Sequence, residues 1–375
     1  MSFIEELEKT AHKTKNGDLE YLKNSDLPLV LYGAGKVAMK IKVFLEKHCI
    51  KIDFVAVDKE YWQSDMKFGE FDVLPLEDVL ASNCKVNIVV AFFGWDYAKV
   101  GNVISSLNEN TLVQKCLYFS LLTACFIGQL SDTYMNFVNK NSAVFADLYN
   151  KLSDDLSRKI MLEYIIARSI GDAKELAKLV IPNEAQYFPD FLYLSDKEVL
   201  VDCGAYIGDT INVFLSKTNK KHNKIFAFEP FSSSAEKCRK VLVDGDVLIE
   251  KGVWNEKTSL CIASPQNHDA ACAIAKCGDM QIELDSIDNV LGKEKATFIK
   301  MDIEGSELKA LMGAENQIRK NKPKLAVCVY HREEDLITIP QYILSLNPNY
   351  KLYLRHYGGN SCTELVLYAV DWEAE

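Results

Sequence analysis

The sequence lacks the features that mark several protein classes. Its eleven cysteines form no C-x-x-C pair, and no histidine stands beside them at zinc-ligand spacing. It has neither an apolar run of the roughly 20 residues that a membrane-spanning helix needs nor an apolar signal segment at its N-terminus. Lys and Arg number 43 against 53 Asp and Glu, a net charge of -10 that disfavours binding to nucleic-acid phosphates. We therefore expect a cytoplasmic protein with reduced cysteines, no membrane span and no nucleic-acid partner.

The composition is that of a folded globular protein. The 375 residues are 48% hydrophobic and 26% charged, which sets aside disordered and collagen-like classes. At roughly 150 residues per domain, this length favours two to three domains. The composition is compatible with a homo-oligomer but gives no evidence of one.

Strand-like runs alternate with helical patterns in the first third of the chain. Apolar runs at 28–32, 52–57 and 86–92 end near glycine or aspartate, and helix-period stretches lie between and after them. The pattern predicts a parallel, Rossmann-like α/β domain over 1–125. From about residue 126 a helical period replaces the strand-like runs, and we assign 126–195 to a helical connector.

The alternation of strands and helices restarts in the last domain, 196–375. Strands are predicted at 199–201, 225–228, 247–249, 297–301, 325–329, 351–356 and 364–370. Helices of about 10 to 15 residues are expected between the first five. Glycines 358 and 359 separate the last two strands, which should form an antiparallel hairpin. A doubly wound α/β sheet with an antiparallel last strand is the architecture of class I methyltransferases.

The first glycine turn has the spacing of a dinucleotide-binding fingerprint. Residues 33–38 read G-x-G-x-x-A between a predicted strand and helix, and Asp58 follows Gly33 by 25 residues at the end of the next strand. Three interpretations stay open: an NAD site, a fold that contacts a nucleotide sugar, and a purely structural turn.

A second glycine turn is the strongest local pattern in the sequence. The strand 199–201 leads to Asp202, Gly204 and Gly208, and the next strand ends at Glu229. A carboxylate there can accept hydrogen bonds from both hydroxyls of an adenosine ribose. The glycine amides are expected to bind the carboxylate of a methionine moiety, and Asp202 and Asp209 its amino group. The predicted cofactor-binding residues are Asp202, Gly204, Ala205, Tyr206, Gly208, Asp209, Thr210, Glu229 and Pro230.

Three motifs in order resemble the FkbM family of S-adenosylmethionine-dependent O-methyltransferases. They are VDCGAYIGD at 201–209, FEP at 228–230 and KMDIEGSE at 300–307, and the resemblance extends from about Gln186 to Val370. Tyr206 replaces the middle glycine of the generic methyltransferase GxGxG turn. The resemblance implies S-adenosylmethionine as cofactor and methyl transfer to an oxygen atom.

Candidate catalytic residues follow the strand ends at which such groups converge. Asp302 and Glu304 have period-two spacing, so in an extended backbone both would face one cleft. Glu304 could position a hydroxyl while Asp302 takes its proton, although residues 305–307 equally fit the start of a helix over 308–319 capped by Ser306. His331 could act as a base near neutral pH.

Three further residues are candidates for contacting the acceptor: Arg355, His356 and Glu364. Asp302, Glu304 and His331 are also possible ligands of a metal such as Mg²⁺, but metal-free base catalysis is favoured over it.

The leading hypothesis is an O-methyltransferase that acts on a sugar, a nucleotide-linked sugar or a similar polyhydroxylated metabolite or glycan. One alternative is an NAD-dependent oxidoreductase that uses the first glycine turn. Another is a non-catalytic module that binds S-adenosylmethionine or a sugar.

Overall fold

The computed structural model describes residues 2–373 except 14–16, 83, 93–96, 119–131, 171–172, 263–279 and 360. Within these residues the chain divides into two compact units. The first comprises 1–141, 162–179 and 358–362, and the second comprises 142–161, 180–357 and 363–375. Among the described residues, no helix has both the length and the apolarity needed to cross a bilayer.

The first unit contains a six-stranded sheet with helices in the connections. Its strands are β1 Leu29–Tyr32, β2 Phe54–Val57, β3 Lys67–Phe68, β4 Phe71–Pro75, β5 Val86–Val90 and β6 Val113–Tyr118. Helices α1 to α6 are Phe3–Lys13, Gly17–Lys23, Lys36–Lys47, Leu76–Leu80, Tyr97–Glu109 and Asp132–Lys140. The strand order is β3-β4-β2-β1-β5-β6, and every pair is parallel except β3 with β4. Apolar residues bury both faces of this sheet.

The next helices are α7 Ser142–Lys151, α8 Asp155–Ile170 and α9 Lys174–Ala177. They lie in the segment for which the helical period predicted helices. The predicted glycine at the end of the third strand, Gly94, lies outside the described residues, as does residue 360 of the predicted hairpin turn. Most of the apolar run 116–130, which is predicted to form a buried strand and turn, also lies outside the described residues.

The second unit contains a seven-stranded sheet. Its strands are β7 Val199–Cys203, β8 Lys224–Phe228, β9 Val247–Ile249, β13 Phe298–Met301, β14 Lys324–Cys328, β15 Lys351–His356 and β16 Leu365–Val370. The order is β15-β16-β14-β13-β7-β8-β9, with β16 antiparallel to both of its neighbours. Every residue of β7, β14 and β16 is buried, as expected for a sheet that is covered on both faces. The predicted α/β class and the antiparallel last strand are confirmed.

Between β9 and β13 the structure differs from the expected helices. Strands β10 Gly252–Val253, β11 Thr258–Ile262 and β12 Met280–Asp285 form a small separate sheet. In β12, Gln281 and Glu283 are exposed while Leu284 is buried, a period of two that favours a half-exposed strand. Only the short helix α12, Ile287–Leu291, follows it before β13.

The remaining helices cover the seven-stranded sheet. They are α10 Asp209–Lys217, α11 Ser232–Arg239, α13 Glu307–Met312, α14 Glu315–Asn321 and α15 Asp335–Leu346. The single helix expected over 308–319 is therefore two helices. The break falls at Gly313, whose carbonyl accepts a hydrogen bond from the Asp288 amide at 2.8 Å and whose Cα lies against the Trp254 carbonyl. Ser306 precedes α13 but makes no side-chain cap.

Candidate functional site

The candidate site lies at one edge of the seven-stranded sheet. Strands β8, β7, β13 and β14 are neighbours and parallel, so their carboxyl ends meet at that edge. Glu229 follows β8, Asp302 follows β13, and His331 lies three residues beyond β14. Strand β16 runs the opposite way, so Glu364 immediately before it lies at the same edge. Sequence positions up to 135 residues apart thus converge.

Gly204 brings three strand ends together. Its φ is +81°, and a Cβ at this position would lie 2.1 Å from the Asp302 carbonyl oxygen. Its amide donates to the Phe228 carbonyl at 3.1 Å. Gly208, at φ +85°, packs against Val241, and its amide donates to the Ala205 carbonyl at 2.8 Å. Both glycine amides therefore have partners in the protein, one at the end of β8 and one within the turn, and their binding of a carboxylate stays a prediction.

Asp202 is paired inside the protein. Its carboxylate is fully buried, and its Oδ1 lies 3.0 Å from Nζ of Lys300, which is also buried. Lys300 donates a further hydrogen bond to the Gly204 carbonyl at 2.8 Å. Burial raises the pKa of Asp202, and Lys300 partly offsets that rise. Asp202 and Lys300 therefore stabilise the turn from inside the protein, and contact of Asp202 with a ligand's amino group stays a prediction.

Glu229 is held in a fixed orientation at the end of β8. Its Oε2 accepts from the Tyr206 amide at 2.9 Å and its Oε1 from the Phe231 amide at 3.0 Å. The residue is only 4% exposed, and burial raises its pKa although both amides lower it. A carboxylate has about four acceptor positions, so each oxygen retains one after these two bonds. That arrangement fits the recognition of two neighbouring hydroxyls.

The other predicted cofactor residues surround this carboxylate. Tyr206 has a φ of +46° and a side chain that is 41% exposed. Ala205 is buried, and Pro230 follows Glu229 directly. Asp209 and Thr210 begin α10, where the first backbone amides have no partner within the helix. These amides are further candidate donors to an anionic group.

A cluster of carboxylates surrounds His331. Nε2 of His331 lies 3.5 Å from Oδ1 of Asp302 and 3.5 Å from Oε2 of Glu304. Nδ1 lies 2.9 Å from Oε1 of Glu307, which is completely buried. The imidazole itself is 8% exposed. The structure thus brings together all three predicted catalytic residues and adds a fourth, Glu307.

The pKa values in this cluster follow its charges. Burial alone would lower the pKa of His331, but Glu307, Asp302 and Glu304 raise it to about 10. Burial alone would raise the pKa of Asp302, but Lys300 and His331 hold it below its usual range. Burial raises the pKa of Glu304 to about 7, partly offset by His331.

The backbone conformation that brings the side chains of Asp302 and Glu304 together differs from the extended one that the sequence predicts. Strand β13 ends at Met301, and Glu304 and Gly305 have φ values of +56° and +91°. The backbone therefore turns here and is not extended, so the period-two argument does not apply. The turn still directs both carboxylates toward the same nitrogen of His331.

Sequence reasoning missed three residues of the site. Tyr187 donates its hydroxyl to Oδ2 of Asp302 at 2.7 Å, and no spacing rule joins residues 115 positions apart. Lys300 and Glu307 both stand within the KMDIEGSE motif, so a role for each could have been considered. Alternation along β13 places Lys300 and Asp302 on one face of the sheet.

Glu364 belongs to this edge of the sheet. Its Oε2 accepts from Nε2 of Gln186 at 2.5 Å, and its Oε1 from the Tyr330 hydroxyl at 3.2 Å. Burial and the nearby Asp302 carboxylate raise its pKa to about 7. Contact of Glu364 with an acceptor stays a prediction.

Arg355 and His356 are held by contacts with other residues of the protein. The Arg355 guanidinium pairs with Asp154 at 2.5 Å, donates to Ser157 Oγ at 2.9 Å and stacks on Phe191. His356 is fully buried within β15, and its carbonyl accepts from the Ile181 amide. The structure does not bring the Arg355 side chain to the cluster around His331, because Asp154 and Ser157 hold it against α8.

The first glycine turn has a related geometry in the other unit. Gly33 has a φ of +132°, its amide donates to the Ala56 carbonyl at 2.8 Å, and a Cβ would lie 2.6 Å from the Ala91 carbonyl oxygen. Asp58 follows β2 and accepts from the Tyr32 hydroxyl at 2.5 Å. The spacing of strand, turn, helix and acid is as predicted.

Comparison with known proteins supports the resemblance for part of the chain. Residues 202–358 match the family model described as the methyltransferase FkbM domain. Comparison with curated proteins finds no match.

The solved structures that match include methyltransferase FkbM from Methylobacillus flagellatus. It is 21% identical, with a TM-score of 0.72, and the match covers 98% of this chain and 99% of that one. A SAM-dependent methyltransferase from Aquifex aeolicus is 13% identical over 52% of this chain and 96% of its own, with a TM-score of 0.28. A putative rRNA methylase from Clostridium thermocellum is 13% identical over 46% and 88%, with a TM-score of 0.29. The first of these shows that the fold extends over nearly the whole chain.

Proposed function

We propose that the protein is an S-adenosylmethionine-dependent O-methyltransferase. The observation that carries the proposal is the position of Glu229. It is a buried carboxylate fixed by two amides, with acceptor positions remaining, at a strand end within the segment that matches a methyltransferase domain. Asp302 stands two strands away, a separation of about 10 Å at the usual strand spacing. A donor whose ribose binds Glu229 could extend its methionine arm across β7 toward Asp302.

The residues that would hold the donor follow from this placement. Glu229 would accept from the ribose hydroxyls, the exposed ring of Tyr206 would border the nucleoside, and the first amides of α10 would face the carboxylate of the methionine arm. When bound, S-adenosylmethionine supplies an electrophilic methyl carbon on a sulfonium.

The carboxylates at the end of β13 would receive the acceptor hydroxyl. Tyr187 occupies Oδ2 of Asp302, whereas Glu304 is a third exposed and its Oε2 faces His331, so we assign proton removal to Oε1 of Glu304. Asp302 then orients the hydroxyl. These roles reverse those suggested by the sequence. Both nitrogens of His331 face carboxylates, so its imidazole positions them and does not act as the base.

The acceptor class follows from the polarity of the same edge. Four carboxylates, those of Asp302, Glu304, Glu307 and Glu364, lie there with the hydroxyls of Tyr187 and Tyr330. Such groups suit hydrogen bonds to a hydroxyl-rich molecule better than contact with an apolar one. A sugar, a nucleotide-linked sugar or a similar polyhydroxylated metabolite is the proposed acceptor.

Transfer of a labelled methyl group from S-adenosylmethionine to a panel of glycosides and nucleotide-linked sugars tests the proposal. We expect a methyl ether in the product, identified by NMR, and a loss of about 100-fold or more in kcat for Glu304→Gln. Glu256→Gln, an exposed carboxylate elsewhere in the same unit, is the matched control and should keep its activity. Transfer to nitrogen or carbon would refute the assignment to oxygen. Full activity of Glu304→Gln would refute the assignment of proton removal to Glu304.

A further inference from the structure

We propose that Gln186 and Tyr187 position two carboxylates of the site, those of Glu364 and Asp302, and thereby determine where the acceptor is held. The inference rests on the proposed function, because it gives these residues a part in the same reaction. Neither Gln186 nor Tyr187 takes part in the chemical step itself. Each acts through the carboxylate to which it donates a hydrogen bond, so both are positioning residues.

Gln186 and Tyr187 are adjacent in the chain and contact the ends of three neighbouring strands. Nε2 of Gln186 donates to Oε2 of Glu364 at 2.5 Å, just before β16. The Tyr187 hydroxyl donates to Oδ2 of Asp302 at 2.7 Å, just after β13. It also lies 3.8 Å from Sγ of Cys328, the last residue of β14, which stands between those two strands. The two carboxylates are therefore linked through one short segment that lies outside the sheet.

The backbone of Tyr187 is fixed in an unusual conformation. Its φ is +65°, in the left-handed region that a bulky residue rarely adopts. The Tyr187 amide donates to the Tyr368 hydroxyl at 3.0 Å, and that hydroxyl also lies 2.8 Å from the Tyr357 hydroxyl. Backbone strain of this kind persists where the surrounding structure holds it, and it is concentrated at functional sites. Tyr368 in β16 thus helps to hold the conformation that directs the Tyr187 ring toward Asp302.

The register of the sheet places the Tyr187 ring on the face that carries Asp302. Lys300, Ala326 and Tyr368 pair across β13, β14 and β16, so their side chains share one face. Nζ of Lys300 lies 5.1 Å from the centroid of the Tyr187 ring, which therefore lies on that face as well. Asp302 stands two residues after Lys300 and points the same way. Strand alternation thus brings the carboxylate to the Tyr187 hydroxyl.

The two hydrogen bonds restrain the carboxylates and leave one oxygen for the acceptor. Burial and the Asp302 carboxylate raise the pKa of Tyr187, so the hydroxyl keeps its proton and acts as a donor at neutral pH. Its bond to Asp302 is charge-assisted and therefore stronger than one between neutral groups. With Oδ2 bound, Asp302 presents Oδ1 to an acceptor hydroxyl. The Gln186 amide restrains Glu364 in the same way, together with the Tyr330 hydroxyl at 3.2 Å.

Steady-state kinetics of the full-length protein tests the proposal, with S-adenosylmethionine and a glycoside from the panel above that accepts the methyl group. Tyr187→Phe keeps the ring but releases Asp302, so we expect kcat to fall about 10- to 100-fold. The Kd for S-adenosylmethionine should not change. Gln186→Met loosens Glu364, which would contact the acceptor before and during the reaction alike. We therefore expect its KM for the glycoside to rise about tenfold with little change in kcat.

Two other tyrosines of the same unit provide matched controls. Tyr193→Phe removes an exposed hydroxyl and should leave the kinetics unchanged. Tyr350→Phe removes a buried hydroxyl that donates to the Pro323 carbonyl at 2.7 Å, where β14 and β15 begin at the opposite edge of the sheet. In urea denaturation it should lower stability, as Tyr187→Phe does, but it should leave kcat unchanged. A loss of stability alone is thus separated from a loss of positioning.

A double-mutant cycle shows whether Tyr187 acts through Asp302. In an Asp302→Ala background, Tyr187→Phe should change kcat by less than about twofold. An equal loss in both backgrounds, or wild-type kinetics in Tyr187→Phe or Gln186→Met, would overturn the inference while the proposed function stands. If the wild type transferred no methyl group to any acceptor of the panel, both the proposed function and this inference would be refuted.

Discussion

The two glycine turns are built alike but differ in the described residues that follow the neighbouring strand. Gly33 and Gly204 each follow a central strand, donate to a carbonyl of the strand on one side and lie against a carbonyl beyond the strand on the other. The equivalent carbonyls belong to Ala91 and Asp302. After the first there is an apolar residue, Phe92, and after the second come the turn to Glu304 and the cluster around His331. The glycine therefore marks the packing of three strand ends, and in the second unit the residues beyond the third strand form a cluster of titratable side chains.

The acids that follow these turns differ in register. Asp58 and Glu229 both stand 25 residues after their glycine, since 58 - 33 and 229 - 204 are equal. Yet Tyr32 pairs with Ala56, while Cys203 pairs with Phe228. Val57 thus occupies the position of Glu229, and Asp58 lies one residue further on. Successive strand residues point to opposite faces, so equal spacing in the sequence does not place the two acids equivalently.

Substitution of the two glycines should have the largest effect. Gly204→Ala introduces a Cβ 2.1 Å from a backbone oxygen at a positive φ, and we expect it to lower the free energy of unfolding by more than about 4 kcal/mol. Gly33→Ala, with 2.6 Å available, should be less severe but still destabilising. Urea denaturation, with hydrogen exchange read for peptides of each unit, measures both.

Gly35→Ala is the control for these substitutions. No atom lies within 4 Å of a Cβ at that position, so its effect should be below about 1 kcal/mol. If Gly204→Ala were equally mild, the shared role of the two glycines in packing strand ends would have to be abandoned.

The buried pair beneath the second turn should give the next largest effect. Asp202 and Lys300 pair across β7 and β13, where the first unit has Leu31 and Val89. Lys300→Met leaves Asp202 buried without a cation, and we expect a loss of about 3 to 5 kcal/mol in the free energy of unfolding. Urea denaturation should show that adding Asp202→Leu, which makes both sites apolar, recovers most of this loss. If Lys300→Met alone were as stable as the wild type, that result would contradict the pairing of Asp202 with Lys300.

The affinity for S-adenosylmethionine should depend on Glu229 and not on Asp58. Glu229→Gln removes the charged acceptor, and charged hydrogen bonds contribute about 1.5 to 3 kcal/mol. We therefore expect S-adenosylmethionine to bind about 10- to 100-fold more weakly in calorimetry. Asp58→Asn is the matched control in the first unit and should leave the Kd unchanged. A loss of affinity in Asp58→Asn instead would assign the donor to the first turn.

Tyr32→Phe should have the smallest effect. It removes the hydrogen bond to Asp58, and we expect the first unit to lose about 0.5 to 1.5 kcal/mol of stability. Hydrogen exchange of β1 and β2 peptides measures that loss. The Kd for S-adenosylmethionine should not change, and any change would argue that the first turn contributes to donor binding.

Sequence patterns could predict the strand ends but not the contacts beyond them. The predicted strands correspond to β1, β2 and β5 of the first sheet and to all seven strands of the second, because buried runs are continuous. Strands β3, β4 and β10 to β12 are not predicted, because short or half-exposed strands lack such runs. Glu229, Asp302 and His331 were identified from strand-end position and motif. Sequence patterns could not predict that Lys300 neutralises Asp202, because this pairing depends on the register between strands about 100 residues apart. The ligand role predicted for Asp202 did not take this partner into account. The partners of Arg355 and Asp302 lie 201 and 115 residues away in the sequence.

Hydrogen exchange of the full-length protein with and without S-adenosylhomocysteine tests whether the donor binds at the second glycine turn. We expect protection of peptides that contain residues 204–210 and 228–231, with residues 33–38 unchanged. Protection confined to 33–38, or no protection in either turn, would contradict it.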